Sequence, residues 1–483
     1  MDLSALNQET LAKLDAAIKL HKSTFDGSTN MGTMPTGLTG VNLEAPAKLI
    51  VPILSPFRQS IARKTIGGRG TNWKYITGVT RGGTLKSADG VRSSGFTVST
   101  GDASATFAEY GKFGDVTWGG QAGGSNYEDL RARADVLALL QLLRDEEAAM
   151  LGATTTALGA GPTPTVTAQT SGGALADATY FVYLVPLSMP GVIGASRISR
   201  PVAGNKYNFT AVPTLNLLDG VGLPTAANTS AAVSGGGGAG TITVTFTWAA
   251  GVSAYAVYVG TASGSANAKL QGIVGQSKLV ITATNTTAAV PPTSDTSGNG
   301  PFLGIPGQLV ASGSGAYVNR LSGPLSSAVG RGIPEIDAML NDIYDRVKED
   351  PDRLVMNWSQ HQKIDDAMAA VSNDRIKFNI NVSANQSAEA LPRFTTYKSS
   401  RGKVLQMEEN PNLPGGTILA LKDSVDIPNS DISNAWQMHM AKDLERLDYA
   451  FTNPKYEFEV RAYGALAGYA PSFQGILYDI WDF

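Results

Sequence analysis

The chain has 483 residues, no cysteine, three histidines and a formal net charge of −3 at neutral pH. The length predicts about three domains, the missing cysteine excludes disulfides, thiolate metal sites and thiol nucleophiles, and the near-neutral charge gives no support for wholesale binding of nucleic acid. No apolar run approaches the roughly 20 residues of a membrane span, and the amino terminus lacks the pattern of a secretion signal, so we expect a multidomain soluble protein that stays in the cytoplasm.

Residues 1–56 are predicted to form an amino-terminal extension rather than a domain. The apolar residues of its first part share one helical face: Leu3, Leu6, Leu11, Leu14 and Ile18. This spacing predicts an amphipathic helix. The following stretch is rich in Gly, Ser and Thr, which is typical of a flexible arm.

Residues 57–105 are predicted to form a long basic β-hairpin. The stretch is punctuated by glycine and contains the strand-like "NWKYITGV". From Arg58 to Arg92 the basic residues meet a single acid, Asp89, and are Arg58, Arg63, Lys64, Arg69, Lys74, Arg81, Lys86 and Arg92.

Residues 106–160 are predicted to contain a strand and a long helix. The strand-like "ATFAEYGKFGDVTW" leads to Asn126, a residue type that favours a helix N-cap. The predicted helix runs from Tyr127 to Leu151. Because its middle, "VLALLQLL", is apolar on all sides, we expect this helix to be buried along its centre and exposed to water at both ends.

Residues 161–300 differ sharply in composition and are predicted to form an inserted β-sandwich. Charges are rare here, and alternating segments such as "TITVTFTW" and "SKLVITA" are separated by turn-rich sequence. Proline pairs at each end predict stiff linkers, at Pro162 with Pro164 and at Pro291 with Pro292. Trp248 is predicted to be a core residue of this domain. We expect the segment to be autonomous, so that its deletion leaves an assembling protein.

Helix and strand patterns return after residue 300. Pro334 is suited to a helix start, and the helix that it opens has one apolar face: Ile336, Met339, Leu340, Ile343 and Val347. A strand, "RLVMNW", and a second helix capped by Ser359 follow. Near the carboxyl end, Tyr456, Phe458, Val460 and Ala462 alternate with charged residues, which predicts a strand whose apolar face packs against the long helix.

The sequence predicts no catalytic, metal or cofactor site. "GGGGAG" at Gly235–Gly240 matches a dinucleotide-binding pattern, but it precedes a strand instead of opening a helix, so we interpret it as a loop. His361 lies near Asp365 and Asp366 without a second histidine at ligand spacing, which favours a surface histidine over a metal ligand.

The order of these elements resembles the major capsid protein of tailed bacteriophages, the HK97-like fold. The stretches that carry the resemblance are "AAMLGA" at the end of the long helix, "RLVMN", "NPNLPGGTILAL" and "YEFEVRAYGALAGYAPSFQGIL". The resemblance covers most of Ala45–Gly159 and Pro301–Phe483. It implies an α+β capsid fold with an N-arm (1–56), an E-loop hairpin (57–105), a P domain (106–160, 301–353 and 451–483) and an A domain (354–450). Residues 161–300 resemble an inserted immunoglobulin-like or fibronectin-type-III-like domain.

The resemblance implies a structural protein and no enzyme. Its copies would form the pentamers and hexamers of an icosahedral head around double-stranded DNA, with the insert on the outer surface. Implied partners are further copies, scaffolding, portal and decoration proteins, and packaged DNA by non-specific proximity, with no membrane or cofactor. The protein would be assembled in the host cytoplasm and located in the virion.

Other classes of protein remain alternatives at this stage. An encapsulin-like compartment shares the fold. A tail or adhesin protein with immunoglobulin-like domains would explain residues 161–300 but not the flanking helices. A glycan-active enzyme would need a pair of carboxylates in a cleft, and usually carries its accessory domain appended rather than inserted.

The candidate functional residues are charges predicted to meet across subunits. A protruding basic hairpin would bind an acidic surface on a neighbouring subunit, which the end of the long helix or the acidic "KEDPD" (348–352) could supply. The predicted contact set is Arg63, Lys64, Arg69, Lys74, Arg81, Lys86, Asp145, Glu146 and Glu147. The alternative is that the hairpin charges are only solvated.

Overall fold

The computed structural model describes residues 54–80, 82, 86, 89, 91–92, 95–124, 129–196, 198–202, 204–209, 213–216, 218–227, 229–328, 332–371, 395–425, 433–450 and 454–481. The chain divides into two compact units. One comprises Met1–Ile50 and Gly119–Leu130; in its described part, Gln121 Nε2 donates to Asp129 Oδ1 at 3.0 Å. The other comprises Val51–Trp118 and Arg131–Phe483.

The described residues form an α+β fold with few helices and several sheets, which confirms the predicted class. The α-helices are α1 (Pro56–Ser60), α2 (Trp118–Gly124), α3 (Leu130–Gly152), α4 (Met189–Ile193), α5 (Ile305–Val310), α6 (Pro334–Val347) and α7 (Trp358–Val371). Short 3₁₀ turns occur at Ser265–Asn267 and Pro471–Phe473.

The strands fall into three groups along the chain. Those before the long helix are β1 (Ala62–Thr65), β2 (Gly70–Thr80), β3 (Thr97–Thr106) and β4 (Ala108–Thr117). Those of the low-charge region are β5 (Thr165–Gln169), β6 (Ala178–Leu187), β7 (Lys206–Asn208), β8 (Thr229–Val233), β9 (Thr241–Thr245), β10 (Ala254–Gly260), β11 (Lys269–Val274) and β12 (Lys278–Ala283). Those that follow are β13 (Tyr317–Gly323), β14 (Arg353–Met356), β15 (Thr396–Lys398), β16 (Val404–Glu409), β17 (Ile418–Leu421), β18 (Trp436–Asp448), β19 (Lys455–Gly468) and β20 (Gly475–Ile480).

The long helix α3 packs on a four-stranded sheet of order β1-β18-β19-β4. β1 runs parallel to β18, and the other pairs are antiparallel. Phe458 and Val460 of β19 form a buried cluster with Leu142 of α3. The predicted packing of the terminal strand against the long helix is therefore confirmed. Residues 436–448 form β18, which pairs with β19 along most of its length, and the bounds of the 354–450 domain stay a prediction.

A six-stranded mixed sheet has the order β13-β20-β17-β14-β16-β15. The apolar face of α6 covers it, with Ile336, Met339, Leu340 and Ile343 buried as the helical spacing predicts. β13 and β20 come from segments that the sequence assigned to a different domain. They join this sheet because β20 pairs with both β13 and β17.

The low-charge region contains two four-stranded sheets, of order β11-β10-β6-β8 and β5-β9-β12-β7. Residues of both sheets share one buried cluster, to which β6 contributes Val182 and Leu184, and β9 contributes Ile242 and Val244. Trp248 belongs to the same cluster and is 4% exposed, as predicted for a core residue.

The first of these sheets is also buried on its other face. Along β6, Tyr183 and Val185 alternate with the residues of the previous cluster and pack into a second one, which contains Ala149 and Met150 of α3. This cluster also contains residues of α1, β14, β17 and β18. The low-charge region therefore shares a hydrophobic core with the rest of its unit, whereas the sequence predicted an autonomous module.

Asp479 also links the low-charge region to the six-stranded sheet through hydrogen bonds, and this link is called the β20 joint below. Its carboxylate, in β20, is 1% exposed and accepts hydrogen bonds from the backbone N and the Oγ of Ser277, both at 2.8 Å. Arg320 of β13 donates to the carboxylate from Nε at 2.7 Å and to the carbonyl of Phe246 at 3.2 Å. Two residues of the six-stranded sheet thus hold two turns of the low-charge region.

The entry and exit of the low-charge region lie side by side. The amide of Gly300 donates to the carbonyl of Thr154 at 3.1 Å, and that of Gly304 donates to Ala153 at 2.9 Å. A Cβ at Gly304 would lie 2.6 Å from the carbonyl oxygen of Ala149, so only glycine fits against the helix end. Pro164, Pro291 and Pro292 are buried, and the predicted stiff linkers are instead packed chain.

Two local predictions need correction. The burial of α3 is concentrated in its last turns, from Glu146 to Gly152, while Val136 is 55% exposed. The reason is that the end of the helix enters the shared core, whereas its first half covers only one sheet. At the start of α7, Asn357 is the capping residue, since its Oδ1 accepts from the amide of Ser359 at 3.1 Å. The predicted helix cap Asn126 lies outside the described residues.

Candidate functional site

The hairpin formed by β2 and β3 is largely exposed where the structure describes its side chains. Gly70 pairs with Thr106 and Thr80 with Thr97, so the ribbon is eleven residues long on one side, or roughly 36 Å at 3.3 Å per residue. Every residue from Thr97 to Thr100 is exposed. Within this stretch Val98 is 44% exposed, and Phe96, the residue before it, is 70% exposed.

The hairpin is shorter than predicted, and this moves two of the candidate bases. It begins at Gly70 rather than at residue 57, because the preceding residues form α1 and the strand β1. Arg63 and Lys64 therefore belong to β1. Arg69 immediately precedes β2 and is exposed.

The remaining candidate bases belong to the hairpin or to the segment between its strands. Lys74 forms a cross-strand ion pair with Asp102 at 3.3 Å, both side chains being at least 75% exposed. Lys86 is exposed. Arg81 lies outside the described residues. Exposed pairs of this kind contribute about 0–1 kcal/mol each, so these charges do little for the stability of the chain itself.

Glu146 is buried and paired within its own chain. Its side chain is inaccessible to solvent and forms ion pairs with the guanidinium groups of Arg58 and Arg63. Arg63 Nη1 donates at 2.9 Å, and the hydroxyl of Tyr110 donates to the same carboxylate oxygen at 2.8 Å. Burial and the negative charge of Glu146 both raise the pKa of Tyr110, so this phenol stays protonated as a donor.

Glu147 is buried beside it and is satisfied by different partners. Its carboxylate accepts from the backbone amide of Arg58 at 3.0 Å and from the side-chain amides of Asn410 and Asn412 at 3.2 and 2.7 Å. Sequence reasoning did not identify these two asparagines. The available signal was their place in "NPNLPGG", a turn-rich stretch in which asparagine donors commonly fix local structure.

The predicted acidic surface is thus largely occupied inside the chain. Asp145 pairs with Lys112 and is partly exposed. In the acidic stretch 348–352, Asp350 pairs with Arg401, while Glu349 and Asp352 lie 3.3 and 3.1 Å from Lys422 Nζ. The structure brings Arg63 together with Glu146 but places Lys74 on a separate element. The intersubunit role of the set stays a prediction.

The structure also shows the partners of His361 and of the glycine-rich loop, the two remaining candidates from the sequence. His361 is 2% exposed, with Nδ1 2.7 Å from Glu409 Oε1, and so it is not the predicted surface histidine. In the loop Gly235–Gly240, the amides of Gly235 and Gly236 donate to the carboxylate of Asp177 at 3.1 and 3.2 Å. Asp177 thereby occupies the concave side where an anion would bind.

Within the described residues, no group of three or more His, Asp or Glu side chains is arranged to hold a metal ion. Among the described helices, none combines the length and the apolar composition that crossing a bilayer requires.

A cleft of about 620 Å³ lies at the base of the hairpin. Trp73 and Ala103 line it from the ribbon, Leu303 and Gln308 from the segment around α5, and Gly468 from the end of β19. Small apolar and hydroxyl-bearing side chains make up most of its lining, and none of the lining residues is charged. It carries no arrangement of nucleophile, base and oxyanion donors.

Comparison with known proteins gives matches in structure alone. No family model matches the chain, and no curated protein matches it. The chain is similar to the capsid of a native GTA particle, with 8% identity, a TM-score of 0.41 and coverage of 94% of this chain and 99% of that one. It is also similar to the capsid asymmetric unit of cyanophage A-1(L), with 10% identity, a TM-score of 0.42 and coverage of 93% and 99%.

An encapsulin appears among the similar structures as well. The holo-SrpI encapsulin complex from Synechococcus elongatus shares 8% identity with this chain, at a TM-score of 0.38 and with coverage of 92% of this chain and 94% of that one. Phage capsid proteins, the class that the sequence resembles, are thus found among the structural neighbours.

Proposed function

We propose that the chain is a structural subunit that assembles with copies of itself into an icosahedral shell, as the major capsid protein of a tailed-phage head that encloses double-stranded DNA. Pentamers and hexamers are the proposed building blocks, and no catalytic role is included. In this proposal the β2–β3 hairpin is the E-loop, and the sheet containing β18 and β19, together with α3, is the P domain. The six-stranded sheet with α6 and α7 is the A domain.

The exposed hairpin is the observation that carries the proposal. A two-stranded ribbon is at best marginally stable in water on its own, and this one exposes Val98, the adjoining Phe96 and Lys74. Apolar side chains on a projecting ribbon favour a surface that is covered by another molecule. Repeated contacts between copies of one chain satisfy that need, since each copy both gives a hairpin and receives one.

The low-charge region is proposed to be displayed on the outer face of the shell. The second of its sheets, β5-β9-β12-β7, turns toward solvent the residues that alternate with its buried ones. They are short and mostly uncharged, including Thr165, Thr167 and Thr245. A hydroxyl-rich face of this kind is well hydrated, which suits an outer surface.

Electron microscopy of the purified full-length chain tests the proposal. We expect closed shells of uniform diameter in negative stain. Particles that remain monomeric, or that form open fibres at every concentration and salt tested, would contradict it. Shells purified from the native host that hold DNA support a phage head, whereas shells that hold a cargo enzyme would identify a compartment of the encapsulin type.

The proposed role of the hairpin charges has its own test. Replacing Arg69, Lys74 and Arg81 by Glu should abolish shell formation at low salt, because the reversed ribbon repels the acidic surface on the neighbour. Thermal unfolding of the subunit should change little, since Arg69 and Lys74 are exposed and exposed charges contribute little to stability.

A matched control reverses Lys206, Lys398 and Lys403, which are exposed on other elements, and so changes the net charge equally. Raising the ionic strength should weaken assembly of the unaltered protein, because exposed charges are screened beyond about 8–10 Å. Normal assembly of the hairpin variant across a salt series would show that the charges are solvated only.

A further inference from the structure

An aromatic cluster, here called the aromatic box, lies where the hairpin joins the body of its unit; His439 is buried in it, while Trp73 and Tyr469 are partly exposed. Trp73 of β2 faces Tyr469, the residue after β19, with ring centroids 5.3 Å apart. It also meets His439 of β18 edge to face at 6.5 Å. Phe107, just after β3, fixes the base of the hairpin, since its amide donates to the carbonyl of Arg69 at 3.1 Å. Trp73 therefore makes a contact between the ribbon and the body that lies farther from the base of the hairpin than the Phe107–Arg69 hydrogen bond.

His439 is the polar member of the box, and it is only half satisfied. The side chain is 1% exposed. Its Nε2 lies 2.8 Å from the hydroxyl of Tyr469 and 3.2 Å from Oε1 of Gln437. Its Nδ1 is buried without a hydrogen-bond partner among the residues that the structure describes. A neutral imidazole with its proton on Nε2 fits these contacts, because Nδ1 is then an acceptor and needs no partner of its own.

A second proton would have no acceptor in this position. Protonation turns Nδ1 into a buried N–H donor, which is unfavourable when it is unsatisfied. It also adds a positive charge in register with Lys64, which lies opposite His439 on the parallel strand β1. The remaining groups around the ring are neutral: Trp73 from the hairpin, Gln437 from β18, and Tyr469, whose pKa is raised by burial.

We propose that His439 makes the seating of the β2–β3 hairpin sensitive to acid: protonation of the imidazole opens the box, frees Trp73 and loosens the outer part of the ribbon from the body. The proposal concerns the single chain and does not depend on shell formation. The same histidine would thereby set the pH range in which the hairpin is held in a defined direction.

The sign of the pH dependence follows from the environment. Burial first, and then the charge of Lys64, lower the pKa of His439 from its ordinary value. The seated hairpin therefore binds the proton less well than the open one. Seating is complete above the ordinary histidine value of about 6.5 and weakens as the pH falls, by up to about tenfold per pH unit, until the pH reaches the lowered pKa.

Hydrogen exchange measured by mass spectrometry on the full-length chain tests this proposal. After correction for the intrinsic pH dependence of exchange, peptides covering residues 70–80 and 97–106 should lose protection by up to about tenfold between pH 6.5 and 5.5. His439→Phe keeps a ring in the box and removes the proton, so its hairpin should show no such loss. His21→Gln is the matched control and should behave like the unaltered chain.

A second variant separates the proposal from a merely structural role of the ring. Lys64→Met removes the neighbouring charge, which should move the titration of the His439 C2 proton in NMR to higher pH and reduce the loss of protection. The proposal is wrong if the unaltered hairpin keeps its protection at pH 5.5, or if His439→Phe loosens as the unaltered chain does. If His439→Phe does not fold, the Lys64→Met comparison decides, and an unchanged titration there overturns the proposal.

Discussion

Glu146 is a buried charge, and replacing it with glutamine tests its ion pairs with almost no change in side-chain shape. Glu146→Gln removes the counter-charge of two guanidinium groups that are themselves only 14% and 20% exposed. Because Arg63 keeps Asp443 as a partner, only part of its charge pairing is lost. We therefore expect the free energy of unfolding to fall by about 2–4 kcal/mol, near the range for breaking a buried ion pair. Chemical denaturation of the unassembled chain, followed by circular dichroism, measures it.

Glu147→Gln is the matched comparison for that variant. The partners of Glu147 are a backbone amide and two side-chain amides, which are neutral, and a glutamine can still accept from one of them. We therefore expect a smaller loss, about 1–2 kcal/mol. Equal losses at the two positions would show that ion pairing adds nothing to burial at Glu146.

Phe458 tests the packing of β19 against α3. The side chain is 1% exposed and lies over Gly114 of the neighbouring strand, where a Cβ would come within 2.5 Å of the ring. Phe458→Ala should cost about 3–5 kcal/mol in the free energy of unfolding. Phe113→Ala is the control, since Phe113 lies on the same sheet but is 57% exposed; its loss should stay below about 1 kcal/mol.

At the level of elements, the β20 joint is predicted to hold the low-charge region against the six-stranded sheet. Asp479 has φ 59°, a left-handed conformation that asparagine tolerates, so Asp479→Asn changes the charge without straining the backbone. The substitution places an NH₂ donor where Ser277 and Arg320 now donate to a carboxylate. It should lower the free energy of unfolding by about 2–4 kcal/mol.

The outcome is read by thermal unfolding and by hydrogen exchange around residues 246 and 277. Asp342→Asn is the control, because Asp342 forms an exposed ion pair within one helix that is worth about 0.3–0.5 kcal/mol. Exchange at the two turns should rise in Asp479→Asn alone. An unchanged exchange pattern would mean that the shared apolar core holds the joint without the carboxylate.

The location of elements with strong periodicity was predictable from the sequence. The residues at which elements end, and the elements that pack against them, were harder to predict. α6 begins at Pro334 and buries the predicted face, because its apolar spacing and its proline act locally. The start of the hairpin was missed because β1 is a strand only by virtue of β18, far away in sequence. The buried end of α3 was missed for a related reason: Glu146 and Glu147 appear solvated until Arg58, Tyr110 and Asn412 are brought to them.

For the whole molecule, the low-charge region supplies part of the core on which the remainder depends. Deleting residues 161–300 and joining the ends with a short Gly/Ser linker would remove β6 and β10 from the buried cluster that also contains apolar residues of α3, α1 and β18. We therefore expect this variant to be insoluble or to lose its cooperative thermal transition. Soluble yield and circular dichroism measure this, and a soluble deletion variant that melts within about 5 °C of the parent would restore the autonomous module that the sequence predicted.

The sequence did contain a signal for this dependence. β10 reads "AYAVYVG" and is buried at all of its positions, as expected for a strand covered on both faces. A sandwich that stands alone alternates apolar and polar residues on such strands. The high strand content of residues 161–300 was predictable from the alternating segments and the turns between them, but which body covers the outer face depends on contacts that no local pattern records.

The pairing of β1 has a consequence for synthesis. Because Ala62 pairs with Gln437, the ribosome must make almost the whole chain before this strand meets its partner, a delay on the order of tens of seconds at roughly 5–20 residues per second. The described strands between residues 165 and 283 pair with one another and can form during that delay. Meanwhile Phe57 and Ile61, buried in the finished protein, remain uncovered. Nascent chains that stall before residue 436 are therefore expected to be targets for chaperones and to aggregate when chaperones are scarce.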